Sequence, residues 1–347
     1  MDELTLLRKI HETPESTLQT LSEGRRAMDR AIGGTRTRTI AKTKARRRTT
    51  WTLGLTGVAA ALTVGLVVSD VVGIAGLRPG SSAAAAEVLN SAAQATIATS
   101  DPVIGPGQYL SINTDGVYSG TLGKADGTSV TFLSSNSDTL FVPGDSTRNW
   151  VWDRSARKPV KFFGNLTGEE EAAAWRNLVA EGFLADPEFL DAPNGAFYGS
   201  DAVDTPESLA KLPRDPRILL NHIYRINIGA GRSIDGEAFV IIADLLRTGL
   251  ATADLRAALY KAAVMIPGVT VTEQLVSMDG RSGIAIGRTE DVDHTRQDII
   301  IDPANGLVIG EREVLLKATG GFPAGTNLSS TVVTTTVVDS VPSSTSK

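Results

Sequence analysis

Cysteine is absent from the 347 residues. That excludes disulfides, thiolate zinc sites and cysteine nucleophiles together. A chain of this length does not need such staples, because one or two domains can bury cores large enough to stand alone. Histidine is nearly as scarce: His11, His222 and His294 are the whole supply. With His11 in a separate basic segment, two histidines make no convincing zinc site. No HExxH, GxSxG or phosphate-loop pattern occurs. Gly229 and Gly231 in INIGAGRS read as a plain loop, without a following helix cap or a phosphate-binding lysine. Glu290, Asp291, Asp293 and Asp298 offer oxygen ligands for calcium but lack EF-hand spacing, so they read as a solvated hairpin tip. The three acids at 169–171 read as first-turn acids favoured by a helix dipole. We therefore expect no catalytic residue, no cofactor and no metal. The alternative is a hydrolase that uses His294 with a serine and a carboxylate distant in sequence.

Charge is unevenly spread. Residues 1–50 carry twelve Lys/Arg against six Asp/Glu, net +6, and residues 51–347 carry twenty-two against thirty-three, net −11. An acidic main domain is a poor nucleic-acid binder. The basic residues Lys42, Lys44, Arg46, Arg47 and Arg48 abut WTLGLTGVAAALTVGLVVS, Trp51 to Ser69, nineteen residues without a charge. As a helix this stretch spans roughly 28 Å, the thickness of a bilayer core. The basic flank sets its direction by the positive-inside rule. The expectation is a single-pass protein of the cell membrane, N-terminus cytoplasmic and C-terminal domain outside. Asp70 falls at the outer interface. The small residues at 81–86 resemble a peptidase site, but the long preceding region favours a retained anchor.

The divisions read as follows: 1–50, a cytoplasmic basic segment with short helices; 51–77, the span and its outer flank; 78–86, a linker; 87–338, an outer α+β domain; 339–347, a disordered tail. In the first segment Leu18, Leu21, Met28 and Ile32 form a narrow apolar stripe after the Thr13-Pro14-Glu15 helix start. It is either a weakly ordered juxtamembrane helix or a docking helix for a cytoplasmic partner.

The outer domain opens with an alanine-rich helix over 83–98. Short strands follow: GQYLSIN, GVYSGTL, SVTFLS, TLFV, RNWVWD and PVKFFG, separated by turn residues. Trp150 and Trp152 share one strand face; they are sheet core under a helix or the lining of a ligand groove. Thr167 and Glu170 have capping-box spacing. Residues 185–206 read as loop. Helices then start at Asp215-Pro216, within GEAFVIIADLLRTG, and at Thr252, the last stopped by Pro267-Gly268. Two hairpins turn at Asp279-Gly280 and Pro303–Gly306, and a Thr/Val-rich stretch, 329–338, adds an edge strand.

The stretches LPRDPRILLNHI, ALYKAAVMIPGVTV and GIAIGRTED with QDIIIDPANGLVIGEREVLL, together with the basic run before the span, resemble an actinobacterial family of uncharacterised single-pass membrane proteins. The resemblance covers most of the chain beyond residue 80. Members are often encoded beside sigma factors, which implies a role in envelope signalling and a cytoplasmic regulator such as a sigma factor as partner. The order of elements is also similar to the lipoprotein-carrier fold of LolA-like and RseB-like domains. It implies a curved, mainly antiparallel sheet with packed helices and an apolar concavity for an envelope lipid or protein. That is an analogy of fold, not of site. A passive anchored domain is the remaining alternative.

Overall fold

The computed structural model describes residues 78–99, 101–123, 129–180, 186–199 and 204–342. The apolar span and the stripe of Leu18, Leu21, Met28 and Ile32 lie outside the described residues. Among the described residues no helix is long and apolar enough to cross a membrane.

The class is α+β, with a large antiparallel sheet and packed helices. Helix α1 (Ala83–Ala98) begins where the Ser82 hydroxyl accepts from the Ala85 amide at 3.2 Å. After β1 (Tyr109–Gly123), β2 (Ser129–Pro143), β3 (Asn149–Arg154) and β4 (Lys158–Phe163) comes α2 (Gly168–Ala180). Its capping box is reciprocal: the Thr167 amide donates to Glu170 Oε2 at 2.7 Å, and the Glu170 amide donates to the Thr167 hydroxyl at 3.3 Å. Helix α3 (Pro206–Ala210) is a short turn capped by Thr205. Helix α4 (Pro216–Ile226) starts at Asp215, whose Oδ1 accepts from the amides of Arg217 and Ile218. Helix α5 (Ile234–Arg247) starts at Ser233, whose hydroxyl accepts from the Gly236 amide at 2.9 Å. The INIGAGRS loop thus does lead into a helix cap, contrary to its reading as a plain loop. Helix α6 (Ala253–Val264) follows Thr252.

Helices α1, α4, α5 and α6 lie on one face of β6 (Thr270–Met278), β7 (Arg281–Glu290), β8 (Thr295–Ile301) and β9 (Val308–Leu315). Leu89, Leu219, Ile242 and Leu259 meet Ile286 and Ile299 there with no exposed surface. Each such side chain contributes about 1.5–3 kcal/mol relative to remaining in water. Asp279 (φ 48°) and Gly280 (φ 71°) are both left-handed, as a two-residue hairpin turn requires. Gly306 (φ 69°) lies so close to α1 that a Cβ would collide with the Ala92 carbonyl. Its own carbonyl accepts from the buried Tyr260 hydroxyl at 2.7 Å.

Three expectations are corrected. The stretch 329–338 is not an edge strand. It belongs to β10 (Asn327–Val338), which pairs with β1 on one side and β9 on the other and makes one sheet in the order β5-β3-β2-β1-β10-β9-β8-β7-β6. The region 185–206 is not all loop. It contains β5 (Glu188–Pro193), which pairs with β3 at the sheet's edge. A six-residue strand bonded on one side only and closed by Pro193 carries little of the alternation that marks a central strand. Finally, GQYLSIN joins GVYSGTL in β1, and SVTFLS joins TLFV in β2, across residues that look like turns. The two strands pair residue for residue from Tyr109↔Pro143 to Gly123↔Ser129. The polar interruption Ser134–Asp138 stays extended because its backbone is bonded on both sides.

A candidate ligand groove on the sheet

Strand register brings side chains from distant parts of the chain into rows on the helix-facing side. One row is apolar: Ile112, Leu140 and Trp152 stand opposite one another on β1, β2 and β3. The next is charged: Thr114, Asp138 and Arg154 are opposite, and Glu188 of β5 extends it. Beyond it Asn136 faces Gly116, and Gly116 faces Thr331 of β10. Directly opposite residues project to the same face, so these rows form a floor.

Over this floor lies a groove of about 400 Å³. Its apolar wall is Ile112, Leu140, Trp150, Trp152, Phe197 and Leu250; its polar end is Tyr118, Asp138, Asp204 and Arg247. Both tryptophans of the sequence reading line it. Trp150 is 6% exposed and also belongs to the sheet's core. Trp152 is half-buried, and its ring packs at 5.4 Å from Phe197 and under the Arg154 guanidinium at 4.4 Å. Arg154 is in turn held by Glu188 at 2.6 Å and the Tyr198 hydroxyl at 2.8 Å.

The polar end is electrostatically tight. Arg247 pairs with Glu311 at 2.6 Å and Asp244 at 2.9 Å. Burial pushes the Glu311 carboxyl above the usual range although Arg247 opposes it. Burial likewise raises Asp204, with Asp244 adding to the effect. Burial raises the Tyr118 phenol against the pull of Arg247. The Tyr118 ring lies back over Gly116, where any Cβ would strike it. Beneath this end, Ser134 Oγ, Asn136 Oδ1, Asp138 Oδ1 and Thr331 Oγ1 are buried without a hydrogen-bond partner among the described residues. Unmatched buried oxygens are rare because each costs about 1–3 kcal/mol; here four share one face.

Tyr118, Asp138, Phe197, Asp204, Arg247 and Leu250 were not singled out by sequence. One signal was present: Ser134, Asn136 and Asp138 place polar groups on the face that Phe132 and Leu140 make apolar on either side. Phe197 sits in a 3-10 turn and Leu250 in a loop, so neither carries a periodicity.

The other candidates disperse. His294 is an exposed turn residue between β7 and β8 with φ 54°, and its ring makes no hydrogen bond to any described residue. Among the described residues no serine–histidine–carboxylate arrangement is assembled around it. Glu290 accepts from the Ser233 hydroxyl at 2.9 Å, Asp293 pairs with Arg232, and Asp298 is buried between Arg296 and Arg312. Among the described residues no three His, Cys, Asp or Glu side chains gather to hold a metal.

No protein-family model matches the chain, and no curated protein matches it. Among the solved structures that match in part are two weak likenesses. One is the complex of Pseudomonas aeruginosa MucA/MucB, 11% identical, covering 75% of this chain and 59% of that one, with a TM-score of 0.22. The other is a DUF1329 family protein from Desulfovibrio piger, 10% identical, covering 73% and 91%, with a TM-score of 0.19. This chain therefore spans less than two thirds of the MucA/MucB chain that it matches. At such scores the likenesses carry no argument. The strand pairings and the groove themselves define the class: an α+β domain with an open, amphipathic groove on its sheet.

Proposed function

We propose that this is a single-pass envelope protein whose outer domain binds an amphiphilic envelope ligand, a lipid or lipid-bearing partner, in the groove at Trp150 and Trp152. The observation that carries this reading is the groove's two-sided chemistry. Six apolar side chains line a space of about 400 Å³ together with Asp138, one of whose oxygens is unmatched, and Ser134, Asn136 and Thr331 add unmatched oxygens to the same sheet face. Ligand pockets commonly combine an apolar lining with a few convergent polar groups. An acyl chain or apolar side chain suits the wall, and a hydrogen-bonding head suits the floor. The cytoplasmic stripe Leu18, Leu21, Met28 and Ile32 would pass occupancy to a regulator such as a sigma factor.

One experiment tests both parts. The full-length chain, Trp152→Ala and a version lacking residues 1–50 are purified from membranes and analysed by mass spectrometry for bound lipid and protein. Lipid retained by the full-length chain and lost from Trp152→Ala is expected. A sigma factor recovered with the full-length chain and absent after removal of 1–50 supports the relay. Equal lipid on full-length chain and Trp152→Ala would sink the groove reading, and identical protein partners would sink the relay.

A further inference from the structure

We propose that one end of the helical layer, formed by α4, the α4–α5 loop and the start of α5, rests on the membrane surface with Ile218, Ile226 and Ile228 in its interfacial zone. The proposal rests on the single-pass reading above and adds to it which face of the domain meets lipid.

Composition is the first support. Residues 216–234, PRILLNHIYRINIGAGRSI, contain Arg217, Arg225 and Arg232 and no Asp or Glu. They do so within a stretch, 51–347, whose net charge is −11. Asp215 and Asp235 bound the segment and Arg232 pairs with Asp293 and Glu313, so its apolar side chains rather than a surplus of charge suit the interfacial zone of a bilayer.

Exposure is the second. Helix α4 turns Leu219, Leu220, Ile223 and Tyr224 inward. Outside, Ile218 and Ile226 are each 60% exposed, and Ile228 in the following loop is 57% exposed. Ile234 at the start of α5 is 38% exposed. Single exposed apolar residues are ordinary on soluble surfaces, but four within residues 218–234 form a cluster.

The third support is where the chain enters. The Arg78 guanidinium donates to both carboxylate oxygens of Asp235, at 2.9 and 2.6 Å. The Tyr224 hydroxyl donates to the same carboxylate at 2.8 Å. The Ser81 and Ser82 amides bond the carbonyls of Val264 and Val269. The entry is thereby fastened to α4 and α5 through Arg78, beside Ile226 and Ile234, and to the end of α6 through Ser81. The apolar span ends at Ser69, nine residues earlier, and nine residues reach at most about 30 Å. A connection that short, fastened at that point, keeps the exposed isoleucines within reach of the bilayer.

The absence of cysteine gives the test a clean probe. Ile228→Cys and Ile97→Cys are each labelled with an environment-sensitive fluorophore in the full-length chain. Each is reconstituted into vesicles of phosphatidylcholine and phosphatidylglycerol. Ile97 matches Ile228 in exposure, at 57%, but lies in the last turn of α1, about 20 Å along that helix from the entry. The expected result is a chain resistant to carbonate extraction, with blue-shifted emission and quenching by nitroxide-bearing lipid at 228 and neither at 97. A chain released by carbonate overturns the anchor and this proposal with it. A retained chain whose residue 228 stays in water overturns this proposal alone. Equal lipid contact at both sites overturns it as well, because the contact would then have no preferred face.

Discussion

The two ends of the sheet treat their buried polar and apolar groups differently. At the β6–β9 end, Ile286, Ile299 and Ile301 are sealed beneath α1, α4, α5 and α6, and two of the most deeply buried polar side chains find partners. Tyr260, wholly buried, donates to Gly306. Asp298, with no exposed surface, accepts from Arg296, Arg312 and Thr272. Gly287 makes this possible, since a Cβ there would overlap the Asp298 carboxylate. At the β1–β3 end, apolar rings line an open groove and four side-chain oxygens go unmatched. A domain with one complete core can leave such a surface unfinished, and an unfinished amphipathic surface is what a ligand completes.

The largest expected difference comes from breaking a matched group at the sealed end. Asp298→Ala leaves Arg296 and Arg312 with only the half-exposed Glu273 between them. It should cost about 3–5 kcal/mol of stability, the scale for removing one partner of a buried ion pair. Urea unfolding measures it, and a loss below about 1 kcal/mol would mean that the network is not held as described.

A smaller effect arises at the groove. Glu311 has a folded pKa raised mainly by burial. An acid raised on folding binds its proton more readily in the folded state than in the unfolded one. Its contribution is therefore most favourable at low pH and is lost as pH rises from the ordinary carboxylate range through the raised value. Asp204 acts in the same direction. The urea midpoint of the wild type should fall across that window more than that of Glu311→Gln. Parallel pH profiles would remove Glu311 from the account.

The smallest effect is also the most discriminating. Ser134 is 1% exposed, and its hydroxyl has no partner among the described residues. Deleting a matched buried group destabilises, whereas deleting an unmatched one does not. Ser134→Ala should thus change stability by no more than about 0.5 kcal/mol, or increase it. A loss above about 1 kcal/mol would show that the hydroxyl is satisfied and the floor complete.

Much of the fold was legible because its signals are local. Asp215-Pro216 and Thr167–Glu170 mark helix starts by chemistry confined to one turn, and Asp279-Gly280 marks a hairpin by its left-handed backbone. The helix-spaced apolar residues of α4, α5 and α6 announced the sealed core. The candidate groove was only half legible. Trp150 and Trp152 could be placed on one strand face, but core lining and groove lining look alike in sequence. Their neighbours Phe197, Asp204 and Leu250 lie in loops and turns with no period to read. Arg247 looks like an ordinary basic residue in the last turn of a helix.

The sequence by itself determined the α+β class, the caps and turns, the uncharged stretch 51–69 with its basic flank, and the scarcity of cysteine and histidine. Those properties follow from residues within a few positions of one another. Only the tertiary structure decided that β10 lies in the middle of the sheet, with Tyr109 opposite Val338, and that polar residues of β2 meet Thr331 across Gly116. Pairing between strands two hundred residues apart depends on which partner buries the most surface once everything else has folded. No local pattern encodes that choice.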